Sequence, residues 1–158
     1  MKLTNTNKKI NQKSDDSLLI QNDNKHNHPE ISFKYLYKCD VCCFKGLNKI
    51  ARKDRDPSIF DDLQKFLNEI DNCNSLEEMI TDYTSPKGSK IDDSNRYIKR
   101  IIKKFEKAYP NEKGLLESGI IHIHTKKNGK GSFVIFGVNY ENIFYILAFD
   151  PKHQFDKG

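Results

Sequence analysis

Apolar positions recur along this chain with two periods. Ile59, Phe60, Leu63, Phe66, Leu67 and Ile70 repeat at three and four residues, which predicts a helix with one apolar stripe. Asp56 is placed to cap it, Pro57 suits its first helical position, and Asp61 and Asp62 suit the positive end of its dipole. Ser75–Glu78 reads as a capping box opening a short helix to Tyr83, and the Ser85–Gly88 stretch breaks it. A further helix starts near Asp93 or Ser94 and stops at Pro110. Its stripe is Tyr97, Ile98, Ile101, Ile102, Phe105 and Tyr109; Arg96, Lys99, Arg100, Lys103, Lys104 and Lys107 take the other face. Cys39 to Arg55 is irregular, with room for one short helix over Leu47–Ala51.

The second period is two. In Ile31–Lys38, Ile31, Phe33, Tyr35 and Tyr37 alternate with more polar positions, the pattern of a half-buried strand. Ile120–Lys126 alternates as well: Ile121 and Ile123 point one way, and Ile120, His122, His124 and Lys126 the other. Asn128–Gly131 is a turn. Phe133–Val138 and Ile143–Phe149 are apolar on both faces, as interior strands are. The last strand therefore has a neighbour on each side, and the first strand of the domain is the natural second one. The expected fold class is α+β. An N-terminal strand and two to three helices lead into a three-strand antiparallel meander, forming one sheet packed by helices.

Composition sets the limits of this domain. Only 36% of the 158 residues are hydrophobic. Residues 1–28 hold six Asn, five Lys and three Asp, too little apolar surface to offset the entropy of ordering them. They are expected to form a disordered or loosely docked tail before a single α+β domain over 29–158. No apolar run approaches the roughly 18–20 residues of a membrane span, and the N-terminus lacks a signal-peptide core. A cytoplasmic protein with no membrane partner is expected.

Charge and chemistry add candidates. Between Pro86 and Lys130 there are twelve Lys/Arg against five Asp/Glu, a positive field suited to polyanions or an acidic protein. Arg96, Lys99, Arg100 and Lys103 on one helix face, with Lys126 and Lys130 at the turn, are the candidate nucleic-acid-binding residues. His122 and His124 share a strand face, and His153 follows the last strand; register decides whether it reaches them. Histidine can serve as acid and base near neutral pH, and cations can stabilise a phosphate in its transition state. Cys39 and Cys42, at C-x2-C spacing, supply half a tetrahedral zinc site, which Cys73 or the histidine pair would have to complete; otherwise they are reduced cysteines beside a strand end. No other cofactor is implied. Asn128–Gly131 is no phosphate loop, because a strand follows it.

The segment Gly119–Phe155, GIIHIHTKKNGKGSFVIFGVNYENIFYILAFDPKHQF, resembles the end of the RelE/ParE-like toxin fold. It is also similar to small bacterial and phage proteins that end in a FYIL-x-x-DP-x-H pattern. The order strand, helices, meander is shared. The resemblance implies a toxin-like RNA-acting module, a metal-independent endoribonuclease of a toxin–antitoxin or phage-defence system. RNA or the ribosome would be its target and an acidic antitoxin its partner. The other reading is a non-enzymatic basic protein that engages nucleic acid or a host complex.

Overall fold

In the computed structural model, the structure describes residues 28–38, 42–55, 57–85, 95–153 and 155. The expected tail, apart from His28, lies outside them. Strand β1 (Glu30–Ser32) is followed by four helices: α1 (Phe44–Asp54), α2 (Ser58–Ile70), α3 (Leu76–Tyr83) and α4 (Arg96–Ala108). A 3-10 segment (Pro110–Ser118) leads into β2 (Ile121–Lys126), β3 (Lys130–Tyr140) and β4 (Ile143–Asp150). The chain is α+β.

The sheet is four-stranded and mixed rather than a meander alone. Its order is β1-β4-β3-β2, with β1 parallel to β4 and the other pairs antiparallel. The interior position of β4 explains why it is apolar on both faces. Ile123, Phe133, Ile135, Phe144, Ile146 and Phe149 pack against α1, α2 and α3. Val134, Phe136, Val138, Leu147 and Ala148 pack against α4 and the 3-10 segment. The helices therefore cover both faces of the sheet. Each of the two strong stripes, on α2 and α4, needs a face of its own.

Local signals behave as their chemistry dictates. Ser75 Oγ accepts from Glu78 N–H at 3.1 Å, while the Glu78 carboxylate reaches back to Asn74 N–H at 2.7 Å. The start of α4 differs from expectation. Asn95 is its cap, its side-chain oxygen accepting from Tyr97 and Ile98 N–H at 2.9 and 3.3 Å; Asp93 and Ser94 lie outside the described residues, as does Asp56 before α2. The irregular stretch holds a longer helix than expected, α1, which ends at Arg55 in a left-handed conformation. The 3-10 segment has no hydrophobic period to announce it.

The first strand is a correction. It covers three residues, not Ile31–Lys38. The Ser32 hydroxyl accepts from Lys34 N–H, and Leu36 N–H closes a turn on Phe33 C=O. Such side-chain bonds compete with strand extension. The alternating residues consequently part company. Ile31 packs towards α1–α3, Phe33 is 37% exposed, and Tyr35 is buried on the α4 side.

Candidate active site at the edge of the sheet

β2 is an edge strand in this sheet, and His122 and His124 lie on the side of it that faces α4. They sit beside Phe136 and Val134 of β3 in the antiparallel register. Val134 in turn stands beside Asp150 of β4, so His124, Val134 and Asp150 are abreast. The chain then reverses. His153 N–H bonds Asp150 C=O, and His153 itself is left-handed, with φ of 50°. That reversal brings the His153 ring to 5.3 Å from His124, edge-on at 88°. His122 lies 5.8 Å from His124 on the other side. Register thus gathers all three candidate histidines.

His124 is only 4% exposed. Its Nδ1 lies 3.0 Å from Gly131 C=O. A carbonyl can only accept, so Nδ1 carries the proton, and in the neutral ring Nε2 is the acceptor nitrogen. The carbonyl thereby orients the imidazole.

Asp150 has a role the sequence did not reveal. It is 2% exposed, and Oδ2 accepts from Phe155 N–H at 2.7 Å. This bond draws Phe155 into a stack between Phe136, at 5.7 Å, and Tyr97 of α4, at 4.9 Å. Asn95 also donates to Phe155 C=O. A carboxylate five residues before an aromatic carries no motif, so only the fold could show it. The ring series connects the histidines to α4, since Phe136 is 6.4 Å from His122. At its far end the Arg96 guanidinium lies over the Tyr97 ring at 4.9 Å, and Arg100 joins both in lining a shallow pocket. Lys99 and Lys103 are exposed on the same helix.

Lys126 does not share the face of the histidines. The β2–β3 register shifts between His124 and Lys126: a step of two residues on β2 faces a step of four on β3, from Val134 to Lys130, so β3 carries the extra residues and the regular pairing breaks there. Lys126 Nζ instead pairs with Asp62 Oδ2 of α2 at 3.1 Å. Lys130, opposite it at the start of β3, is exposed. In the turn between them, Asn128 and Gly129 both take left-handed backbone, which their residue types tolerate. Lys127 pairs with Asp82 of α3 at 2.7 Å, and the bond to that carboxylate pushes the Lys127 pKa up. Thr125 is buried, and its hydroxyl has no hydrogen-bond partner among the described residues. An unpaired buried hydroxyl is costly. Thr125→Val should therefore raise stability by about 1 kcal/mol, read as a higher urea midpoint; a lower midpoint would show that the hydroxyl is satisfied.

Among the described residues, Cys42 and Cys73 do not converge. Cys39 lies outside the described residues. Cys42 is buried on the α4 side of the sheet, with its carbonyl accepting from Phe149 N–H. Cys73 is buried on the opposite side, where burial pushes its thiol pKa up. Among the described residues, no group of three or more His, Cys, Asp or Glu side chains is arranged to hold a metal ion. No helix among them is long and apolar enough to cross a membrane. Compared with protein-family models, curated proteins and solved structures, the chain matches none.

Proposed function

We propose that this chain is a toxin-like RNA-acting module, an endoribonuclease that works without a metal ion. The observation that carries the reading is the convergence of His122 and His124 of β2 with His153 from the reversal after β4, with His124 oriented by a backbone carbonyl. In the proposed reaction a ribose 2′-hydroxyl attacks the adjacent phosphorus. One imidazole takes the hydroxyl proton, and a second, protonated one gives its proton to the departing 5′-oxygen. The products are a 2′,3′-cyclic phosphate and a 5′-hydroxyl. Neutral and protonated histidine coexist near pH 6–7, which suits both roles. Because Lys126 is engaged by Asp62, phosphate charge falls to Arg96, Arg100 and Lys130. An acidic antitoxin would neutralise the module by covering the basic face of α4.

The test is a variant with His122, His124 and His153 all replaced by alanine, compared with His153→Ala alone. Cleavage of RNA and arrest of growth should both be lost in the triple variant while it still melts cooperatively. Full toxicity in that variant would exclude the histidines from the chemistry.

One observation favours the alternative of a non-enzymatic nucleic-acid or host-protein binder. His124 is almost inaccessible, whereas Arg96, Lys99, Arg100 and Lys103 are exposed. That reading expects a salt-dependent gel shift without cleavage, lost when Arg96, Arg100 and Lys103 are changed to Glu.

A further inference from the structure

The basic helix face has aromatic neighbours that come from elsewhere in the chain. After β1 the chain turns and runs beside the last strand, where Tyr37 N–H donates to Leu147 C=O at 2.7 Å. This sets the 35–38 segment against the C-terminal half of α4, and a half-open cavity of about 450 Å³ lies between them. Its buried lining includes Phe105 and Leu147; Tyr37 and Tyr109 are half-buried, and Lys38, Lys104 and Lys107 are exposed. Among the described residues, no acidic side chain lines it.

The aromatic wall is held in place. Tyr35 packs edge-on against Phe105 and Tyr109, at 5.3 and 4.9 Å, and its hydroxyl accepts from Lys34 Nζ at 2.7 Å. The Tyr109 hydroxyl donates to Lys34 C=O at 3.4 Å. Rigid rings beside three ammonium groups, with no acidic side chain in the described lining, suit a ligand that is flat and apolar on its faces and anionic at its margins. An unpaired nucleotide has this character. A duplex does not, because its bases are already stacked and paired. Grooves that bind single strands combine the same two components, cations along the backbone and aromatic surfaces for the bases.

We infer that this cavity takes one unpaired base of single-stranded RNA against Tyr37 and Tyr109, with Lys38, Lys104 and Lys107 at the flanking phosphates. The inference rests on the RNA-acting reading above and gives it a substrate class. A rise of 1.5 Å per residue puts Tyr97, beside the histidine cluster, about 17 Å along α4 from Ala108. One extended strand lying on the helix reaches both ends.

The probe is a short labelled 2′-O-methyl oligoribonucleotide, which lacks the attacking hydroxyl, used as a single strand and as a duplex in anisotropy titrations. Tyr37→Ala should weaken single-strand binding roughly tenfold or more and leave duplex binding nearly unchanged. Lys104→Ala with Lys107→Ala should weaken binding and lower the salt slope by about one to two. These two lysines lie on an exposed helix face, so they carry the test if the Tyr37 variant fails to fold. Unchanged single-strand affinity in folded Tyr37→Ala, equal losses for strand and duplex, or an unaltered salt slope in the lysine variant would each overturn the inference. If Arg96→Glu with Arg100→Glu still abolishes binding in that case, RNA binding stands without this cavity. No binding of either probe at low salt would overturn both.

Discussion

Gly137→Ala is expected to cost about 3 kcal/mol or more, a large share of the roughly 5–15 kcal/mol that holds a domain of this size. Gly137 lies where the β3–β4 register slips. Phe136 stands beside Ala148 and Gly137 beside Ile146, so Leu147 is the extra residue of a bulge. The close approach there leaves no room for a side chain. A β-carbon on Gly137 would sit 2.5 Å from Phe144 Cζ and 2.7 Å from the Tyr145 carbonyl oxygen. The Phe144 ring is fully buried among the residues that face α1–α3. It cannot swing outward, and the carbonyl belongs to the neighbouring strand's backbone. A thermal melt should show Tm lower by roughly 6–12 °C. Phe144→Leu in the same chain should recover part of the loss by shortening the ring, but not the part due to the carbonyl. Equal Tm values for wild type and Gly137→Ala would mean that the two strands lie further apart than described.

The second large effect is expected from Tyr83→Phe, and it depends on pH. Tyr83 is fully buried at the end of α3, edge-on to Phe66 at 5.1 Å, and its hydroxyl donates to Glu69 Oε2 of α2 at 2.8 Å. Burial first, and then the bond to Glu69 and its negative charge, push the tyrosine pKa well above its ordinary value. At neutral pH the variant loses a hydrogen bond to a charged acceptor, a cost of about 1.5–3 kcal/mol. The alkaline limb has a definite sign. The folded protein holds the Tyr83 proton more tightly than the unfolded chain does. The contribution is therefore complete below pH 10, where the unfolded tyrosine is still protonated, and is lost as pH rises from there towards the folded pKa. Urea midpoints measured from pH 7 to 11 should show the wild-type advantage shrinking above pH 10. Parallel profiles for the two proteins would rule out a raised Tyr83 pKa.

Both effects depend on close approaches between elements far apart in sequence, and the candidate site is built in the same way. Each of its histidines was visible as a residue type on a strand or just beyond one. Their meeting was not, because it requires His124, Val134 and Asp150 to stand abreast and the chain to reverse at His153. The same dependence moved Lys126 out of the set. Strict alternation put it beside His122 and His124, but regular pairing with β3 breaks after His124, and Lys126 turns to Asp62 of α2 instead. The extra residues lie on β3 between Lys130 and Val134, and only the pairing with β2 shows them. Asp150 and Phe155 carry no sequence signal for a related reason: a buried carboxylate that pins a chain end is recognisable only once the end folds back.

The sequence by itself determined what rests on short-range periodicity and capping. That includes the stripes of α2 and α4, the capping box of α3, the turns of the meander and the interior character of β4. These follow from backbone geometry within a few residues, so they survive without knowledge of the rest of the chain. Tertiary structure alone decided that the helices divide between both faces of the sheet. It also decided that β1 runs parallel to β4 and stops after three residues, and that Tyr35 and Tyr37 end beside the basic helix rather than on a strand face. Those outcomes depend on which apolar surfaces compete for the same space. A local hydrogen bond such as that between Ser32 and Lys34 can tip that competition, while the pattern of the sequence is indifferent to it.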